Sequence, residues 1–125
     1  MSMAHATKSP EEWLPLSPAV FHILLALSDG EMHGYAIMRE VEQSTEGRVR
    51  MGPGTLYGGI KKLLQEHLIE ETESRPDPKR DDERRRYYRL SGLGASVLNA
   101  ELSRMRAILE TAKGRKLVRP TGAIA

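Results

Sequence analysis

The residues best suited to chemistry in this sequence are those that bind anions, and they fall in two short stretches. Residues 52–64 combine glycines and hydroxyl groups with Lys61 and Lys62. Residues 84–90 open with three consecutive arginines. Amides at the start of a helix, lysines and arginines all hold phosphate, by charge or by hydrogen bonds. The pattern therefore indicates a partner that carries phosphate.

No set of residues typical of catalysis or of metal binding can be placed. The chain contains no cysteine, and its four histidines show no metal-ligand spacing. The glycines match neither a P-loop nor a dinucleotide fingerprint, and no nucleophile motif is recognisable. We therefore predict that the protein is not an enzyme and needs no metal or cofactor.

Composition bounds the fold to one domain with a modest core. The chain has 125 residues, of which 39% are hydrophobic and only 5% aromatic, and its net charge is +2. A core this lean often gains burial by oligomerising. No apolar run approaches the roughly 20 residues of a membrane span, and the N-terminus lacks the pattern of a secretory signal. We expect a soluble, cytoplasmic protein without a membrane partner.

Periodicity and capping signals predict an α+β, mostly helical fold. Helices are expected near residues 10–14, 18–28, 33–45, 53–65 and 91–112, with strands at 68–73 and 85–90. This order is that of a winged helix-turn-helix with a short two-stranded wing and a long C-terminal helix. The predicted organisation is an N-terminal segment with a short helix (1–15), a winged helix-turn-helix domain (16–90), a dimerisation helix (91–112) and a basic flexible tail (113–125).

The third long helix is the predicted recognition helix. Its apolar residues recur at helical spacing, which leaves the other side free to enter the major groove of DNA. The candidate DNA-binding residues on that side are Gly54, Thr55, Tyr57, Gly58, Lys61 and Lys62. An ordinary amphipathic helix would show the same stripe. Gly58 and Gly59 each cost about 1 kcal/mol relative to alanine, and either close approach to DNA or tight packing against a neighbouring helix would explain them.

The predicted wing adds four candidate DNA-binding arginines, Arg80, Arg84, Arg85 and Arg86. Arginine suits a phosphate because its planar group can donate two hydrogen bonds. Four acids in the same loop favour local pairing for some of these arginines. A solvated hairpin tip therefore stays open as an alternative.

The C-terminal helix carries an apolar stripe in alternating steps of three and four residues. Such spacing is typical of a coiled coil, although it lasts only about two and a half heptads. The candidate dimer-interface residues are Leu98, Leu102, Met105 and Leu109. Packing of this helix on its own domain is the alternative.

The motifs at residues 33–37, 54–57 and 85–94 resemble the PadR family of transcriptional regulators. The resemblance covers roughly residues 16–112 and implies a winged-helix homodimer that usually represses transcription, often in response to a small molecule. It also implies DNA contacts for Thr55, Tyr57 and Lys61 or Lys62. His67 stands where the family usually has glycine, which predicts a histidine with positive φ.

The predicted function is that of a sequence-specific DNA-binding repressor, a homodimer on a palindromic operator, with an unidentified small-molecule effector as a further partner. A winged-helix module that binds protein is the main alternative, and an RNA-binding winged helix is another. Sequence-preferring duplex binding would separate the first from both.

Overall fold

The computed structural model describes residues 8–72 and 86–115, which form four helices, three short strands and one 3-10 turn. In chain order these are the 3-10 turn Pro10–Trp13, α1 (Pro18–Leu27), β1 (Met32–His33), α2 (Gly34–Ser44), α3 (Pro53–Gln65), β2 (Ile69–Thr72), β3 (Tyr87–Leu90) and α4 (Gly92–Gly114).

Side-chain caps set the starts of three helices. The Ser17 hydroxyl accepts from the backbone N–H of the third residue on, at 3.3 Å, and Ser91 does the same for α4 at 2.9 Å. Both serine caps were predicted from the sequence. His33 caps α2 with its Nδ1, which accepts from the Ala36 N–H at 3.1 Å. The helix predicted from His33 therefore begins one residue later.

The sheet has one more strand than the sequence predicted. Strand β3 lies in the centre and pairs antiparallel with both neighbours, so the order is β1-β3-β2. Strand β1 contains only Met32 and His33, which lie opposite Tyr88 and Tyr87. Two residues are too few to show a period-2 pattern, which is why the prediction contained a hairpin alone.

The core forms where α1 meets the other helices. Helix α1 packs against α2, α3 and α4, while α3 also packs against β2. Most apolar residues expected to face inward from the first three helices are buried, namely Val20, Ile23, Leu24, Leu27, Ile37, Val41, Leu56, Ile60 and Leu63. Met38 and Leu64, also expected to face inward, are only partly buried. The apolar stripe of the predicted recognition helix thus faces the core, and the opposite side of that helix is exposed.

A left-handed residue ends α3 and starts the sheet. His67 has φ of 63°, as predicted. The N–H of Leu68 donates to the carbonyl of Leu63 at 2.9 Å, and that of His67 to Leu64 at 3.1 Å. These two bonds form a Schellman motif, which normally has glycine at the position of His67.

A glycine lets α4 approach this same turn. The Ser91 hydroxyl donates to the His67 carbonyl at 2.7 Å, and the Ser91 N–H donates to that of Leu68 at 3.1 Å. A Cβ on Gly94 would overlap the Leu68 carbonyl oxygen. The first turn of α4 is therefore fixed against the start of β2, and a side chain at position 94 would push the two apart.

Candidate nucleic-acid interface

The first turn of α3 has the features of an anion site. Gly52 is the N-cap and has no side chain to bond the first amides, and Pro53 occupies the first turn. The exposed Thr55 hydroxyl lies in the same turn. Unbonded amides and the positive end of the helix dipole both attract phosphate.

The exposed side of α3 is smooth because two of its glycines face open space. A Cβ built on Gly54 or on Gly58 would meet nothing within 4 Å. Gly59 differs, since its Cβ would lie 2.8 Å from Cδ1 of the buried Ile23. Packing against α1 therefore explains Gly59, whereas no contact in the described part of the chain explains Gly54 or Gly58.

Tyr57 joins α3 to the first turn of α2. A Cβ on Gly34 would collide with the Tyr57 ring and hydroxyl, so the ring lies directly over this buried glycine. Tyr57 nevertheless keeps 43% of its surface exposed. The residue predicted as a DNA contact is thus also part of the packing between the two helices.

Lys61 and Lys62 are both exposed on α3. No acidic residue occurs from Pro53 to Gln65, so these lysines have no carboxylate on their own helix. Lys62 also borders a surface cleft of about 230 Å³ that is lined by Trp13 and Glu66, among others. The exposed side of α3 therefore combines two lysines with two glycines and carries no acidic residue.

The sequence interpretation missed a second exposed pair, on α2. Tyr35 is the most exposed large apolar side chain among the described residues, at 58%. The Arg39 guanidinium lies 5.8 Å from the centroid of its ring. In a helix-turn-helix the first helix crosses the DNA backbone. A tyrosine in the first turn of α2 could therefore have indicated a backbone contact from the sequence alone.

The wing is described only in part. Arg80, Arg84 and Arg85 lie outside the described residues. Arg86 is exposed, and its Nε lies 3.6 Å from Glu71 on the neighbouring strand. Exposed pairs of this kind contribute little to stability. Arg86 therefore has a local acidic partner in the isolated chain, which lies on β2 and is not one of the four acids of the loop.

The apolar stripe of α4 has a buried part and an exposed part. Leu98 is 5% exposed and belongs to the domain's own core. The remaining candidate interface residues are exposed in the single chain, and Ile108 is exposed beside them: Leu102, Met105, Ile108 and Leu109. The predicted four residues therefore do not form one continuous exposed face.

A buried acid marks the boundary between these two parts. Glu101 is fully buried, and it accepts hydrogen bonds from the Arg104 guanidinium and from the Leu16 N–H, the latter at 2.9 Å. The Arg104 bond is the largest cause that lowers the pKa of Glu101, against the opposing effect of burial. The carboxylate is thus held in its charged form inside the domain.

The described residues contain neither a metal-ligand cluster nor a helix that could span a membrane. In residues 8–72 and 86–115, no three side chains of His, Cys, Asp or Glu come together as metal ligands. None of the helices in the same ranges is both long enough and apolar enough to cross a bilayer.

Comparison with known proteins gives a consistent family. The model of the "Transcriptional regulator PadR-like family" matches residues 23–100. A 37.1 kDa protein in transposon TN4556 of Streptomyces fradiae is 35% identical over 83 residues, which are 66% of this chain and 21% of that protein.

Solved structures show the same fold. A transcriptional regulator from Clostridium thermocellum superposes with a TM-score of 0.63 at 22% identity, covering 81% of this chain and 90% of that one. A PadR family regulator from Clostridium difficile gives a TM-score of 0.63 at 20% identity, covering 78% and 97%. A PadR-like transcription factor from Bacteroides fragilis gives 0.59 at 26% identity, covering 76% and 86%.

Proposed function

Because the chain belongs to the PadR-like family of transcriptional regulators, which are DNA-binding transcription factors and not enzymes, we propose that it is a cytoplasmic repressor. It acts as a homodimer on a palindromic operator, and a small-molecule effector releases it. The exposed side of α3 is the observation that supports DNA binding in this proposal. Release by an effector follows from the family resemblance alone.

In the proposed complex, α3 enters the major groove with its exposed side. Gly54 and Gly58 let the helix backbone approach the DNA closely, because at these positions no side chain separates the backbone from the DNA. Thr55 and Tyr57 supply hydroxyl groups, and the two lysines supply charge. Side chains near the start of such a helix contact base edges, whereas Lys61 and Lys62 lie further along and are assigned to phosphates.

Two further elements hold the DNA backbone. The Tyr35 hydroxyl and the Arg39 guanidinium of α2 meet a phosphate on one side of the groove. The wing arginines, Arg80 and Arg84–Arg86, meet phosphates on the other side, and Arg86 exchanges Glu71 for a phosphate when DNA binds. Phosphate contacts position a protein without reading sequence. We therefore expect the wing to add affinity to all duplexes alike.

The second half of α4 supplies the dimer contact in this proposal. Four large apolar side chains exposed on one short helical stretch favour burial against an identical stretch. Two recognition helices about one helical turn apart, roughly 34 Å, would then fit two half-sites. A single domain would make too few contacts for tight and specific binding.

The proposed lysine contacts can be tested by salt titration. We expect Lys61→Ala with Lys62→Ala to weaken binding to a duplex from the upstream region of the protein's own gene. The plot of log affinity against log salt should become shallower by about 0.9 for each phosphate that is no longer neutralised by a lysine. Fluorescence anisotropy at several salt concentrations measures both quantities.

The control is Lys113→Ala, which removes a lysine at the end of α4 and should leave the slope unchanged. Unaltered affinity in the double variant would reject α3 as the DNA-binding face. Equal affinity for scrambled duplexes would reject sequence-specific binding, and equal affinity for RNA would favour the RNA-binding alternative.

A further inference from the structure

Residues 9–17, here the 9–17 segment, bond to two helices that make little direct contact with each other. The Trp13 Nε1–H donates to the Glu66 carboxylate, which belongs to the C-cap residue of α3. Three residues later, the Leu16 N–H donates to Glu101 of α4 at 2.9 Å. One short segment therefore connects the end of the recognition helix to the proposed dimerisation helix.

Both bonds hold the segment in one place. Glu101 is fully buried and is further fixed by Arg104. Trp13 is half-buried, and the Lys8 ammonium lies 4.3 Å from the centroid of its ring. The 3-10 turn also packs against α4. Hydrogen bonds to a charged group are among the stronger ones in proteins. The two bonds to Glu66 and Glu101 therefore hold the 9–17 segment in a fixed position against α3 and α4.

The 9–17 segment adds one more attachment to those that α3 and α4 already share. Helix α1 packs against both α3 and α4, and Ser91 bonds the first turn of α4 to His67, the residue that ends α3. An attachment at its first turn still lets the rest of α4 change its angle to α3. The 9–17 segment holds α3 at Glu66, beside that turn, and holds α4 at Glu101, ten residues beyond Ser91. A second attachment at a distance from the first fixes the angle.

We propose that Trp13 is a positioning residue whose bond to Glu66 fixes α3 relative to α4 and so sets the separation of half-sites that the dimer accepts. This inference rests on the proposed function as a dimer on two half-sites. Adjacent base pairs are about 3.4 Å apart along the helix axis, so a displacement of this size changes the preferred spacing by one base pair.

Three variants separate the bond from general packing. Trp13→Phe keeps an aromatic ring but removes the N–H donor. Glu66→Ala removes the acceptor and leaves Trp13 intact. Glu66→Gln keeps an amide oxygen that accepts the same hydrogen bond, and it serves as the conservative rescue. All three are first compared with the wild type by thermal unfolding.

The measurement is affinity for a set of duplexes whose two half-sites are separated by the preferred spacing and by one or two base pairs more or less. A duplex with a single half-site is included. We expect the wild type to prefer one spacing by about 10-fold or more, which is the size of one unfavourable base-pair change. Trp13→Phe and Glu66→Ala should reduce that preference to about 3-fold or less, with single-half-site affinity unchanged.

Glu66→Gln should keep the wild-type preference. The proposal is overturned if Trp13→Phe and Glu66→Ala retain the full preference. It is equally overturned if they weaken all duplexes by one factor, because that would assign Trp13 a purely stabilising role. A wild type that shows no spacing preference would instead reject the proposed function, and this is visible before any variant is made.

Discussion

Two adjacent glycines of α3 have different reasons to be glycine. Gly59 lies against Ile23, where a methyl group would force the isoleucine to move. Gly58 faces open space and gives α3 no packing benefit in the isolated chain. Since glycine inside a helix costs about 1 kcal/mol relative to alanine, the cost at Gly58 has its explanation in the proposed approach to DNA.

Gly58→Ala should therefore raise stability and lower DNA affinity together. We expect a gain in unfolding free energy of up to about 1 kcal/mol, with weaker binding because the new methyl group holds α3 away from the groove. Gly59→Ala is the matched control, and steric conflict with Ile23 should offset its gain. Urea unfolding and duplex titration measure the two effects. Unchanged duplex affinity in Gly58→Ala would contradict close approach at this position.

The sequence could not distinguish these glycines. The apolar stripe of α3 was readable because its residues contact the core at a fixed helical period. Whether a glycine faces a neighbour or solvent depends on how α1 lies across α3, and that is decided by packing between distant segments. The contact of Tyr57 with Gly34 likewise joins two helices that are distant in the sequence, so no local sequence pattern predicts it.

At the scale of elements, α4 packs on its own domain, which is one of the two interpretations that its sequence allowed, along only part of its length. Its first half packs on its own domain through Gly94, Val97 and Leu98, and its second half leaves Leu102 and Leu109 exposed. The change occurs at Glu101, a charged residue whose burial the sequence did not indicate, because one of its partners lies 85 residues away. A periodic stripe shows which side of a helix is apolar but not what covers it.

Glu101 should make stability depend on pH. Its pKa is lowered in the folded chain, first by the Arg104 bond, so its contribution is complete above the ordinary carboxyl value of about 4.3. That contribution disappears as pH falls through the folded pKa, where the native state must take up the proton. Glu101→Gln should cost about 1 kcal/mol at neutral pH, the difference between charged and neutral hydrogen bonds.

Urea unfolding at pH 7 and at pH 3 measures this effect. The difference between Glu101→Gln and the wild type should shrink at the lower pH. Glu110→Gln, an exposed carboxyl on the same helix, is the control and should change little at either pH. An equal difference at both pH values would mean that packing, and not charge, accounts for the role of Glu101.

At the scale of the molecule, the proposed dimer depends on a short exposed stretch. Helix α4 has 23 residues, or about 34 Å at 1.5 Å per residue, which is close to one turn of DNA. Its exposed apolar residues lie within the second half, so the contact would hold the two domains at the far ends of the helices.

Leu102→Asp with Leu109→Asp should therefore give a folded monomer that no longer binds the operator tightly. Both positions are exposed in the single chain, so the domain keeps its core, whereas an unpaired charge buried between two copies is costly. Sedimentation gives the mass, and duplex titration gives the affinity. The matched control is Ser103→Asp, which adds an acid at an exposed position outside the apolar stripe. A dimer that persists in the double variant would place the contact elsewhere.

The bond between Leu16 and Glu101 also constrains how the chain folds during synthesis. The acceptor is made 85 residues after the donor, and Val97 and Leu98 complete the same core. Until these residues leave the ribosome, the α1 surface beneath them stays open to solvent. The core of the domain is therefore complete only with the first three turns of α4. A fusion that cuts the chain after β3 would carry an incomplete domain.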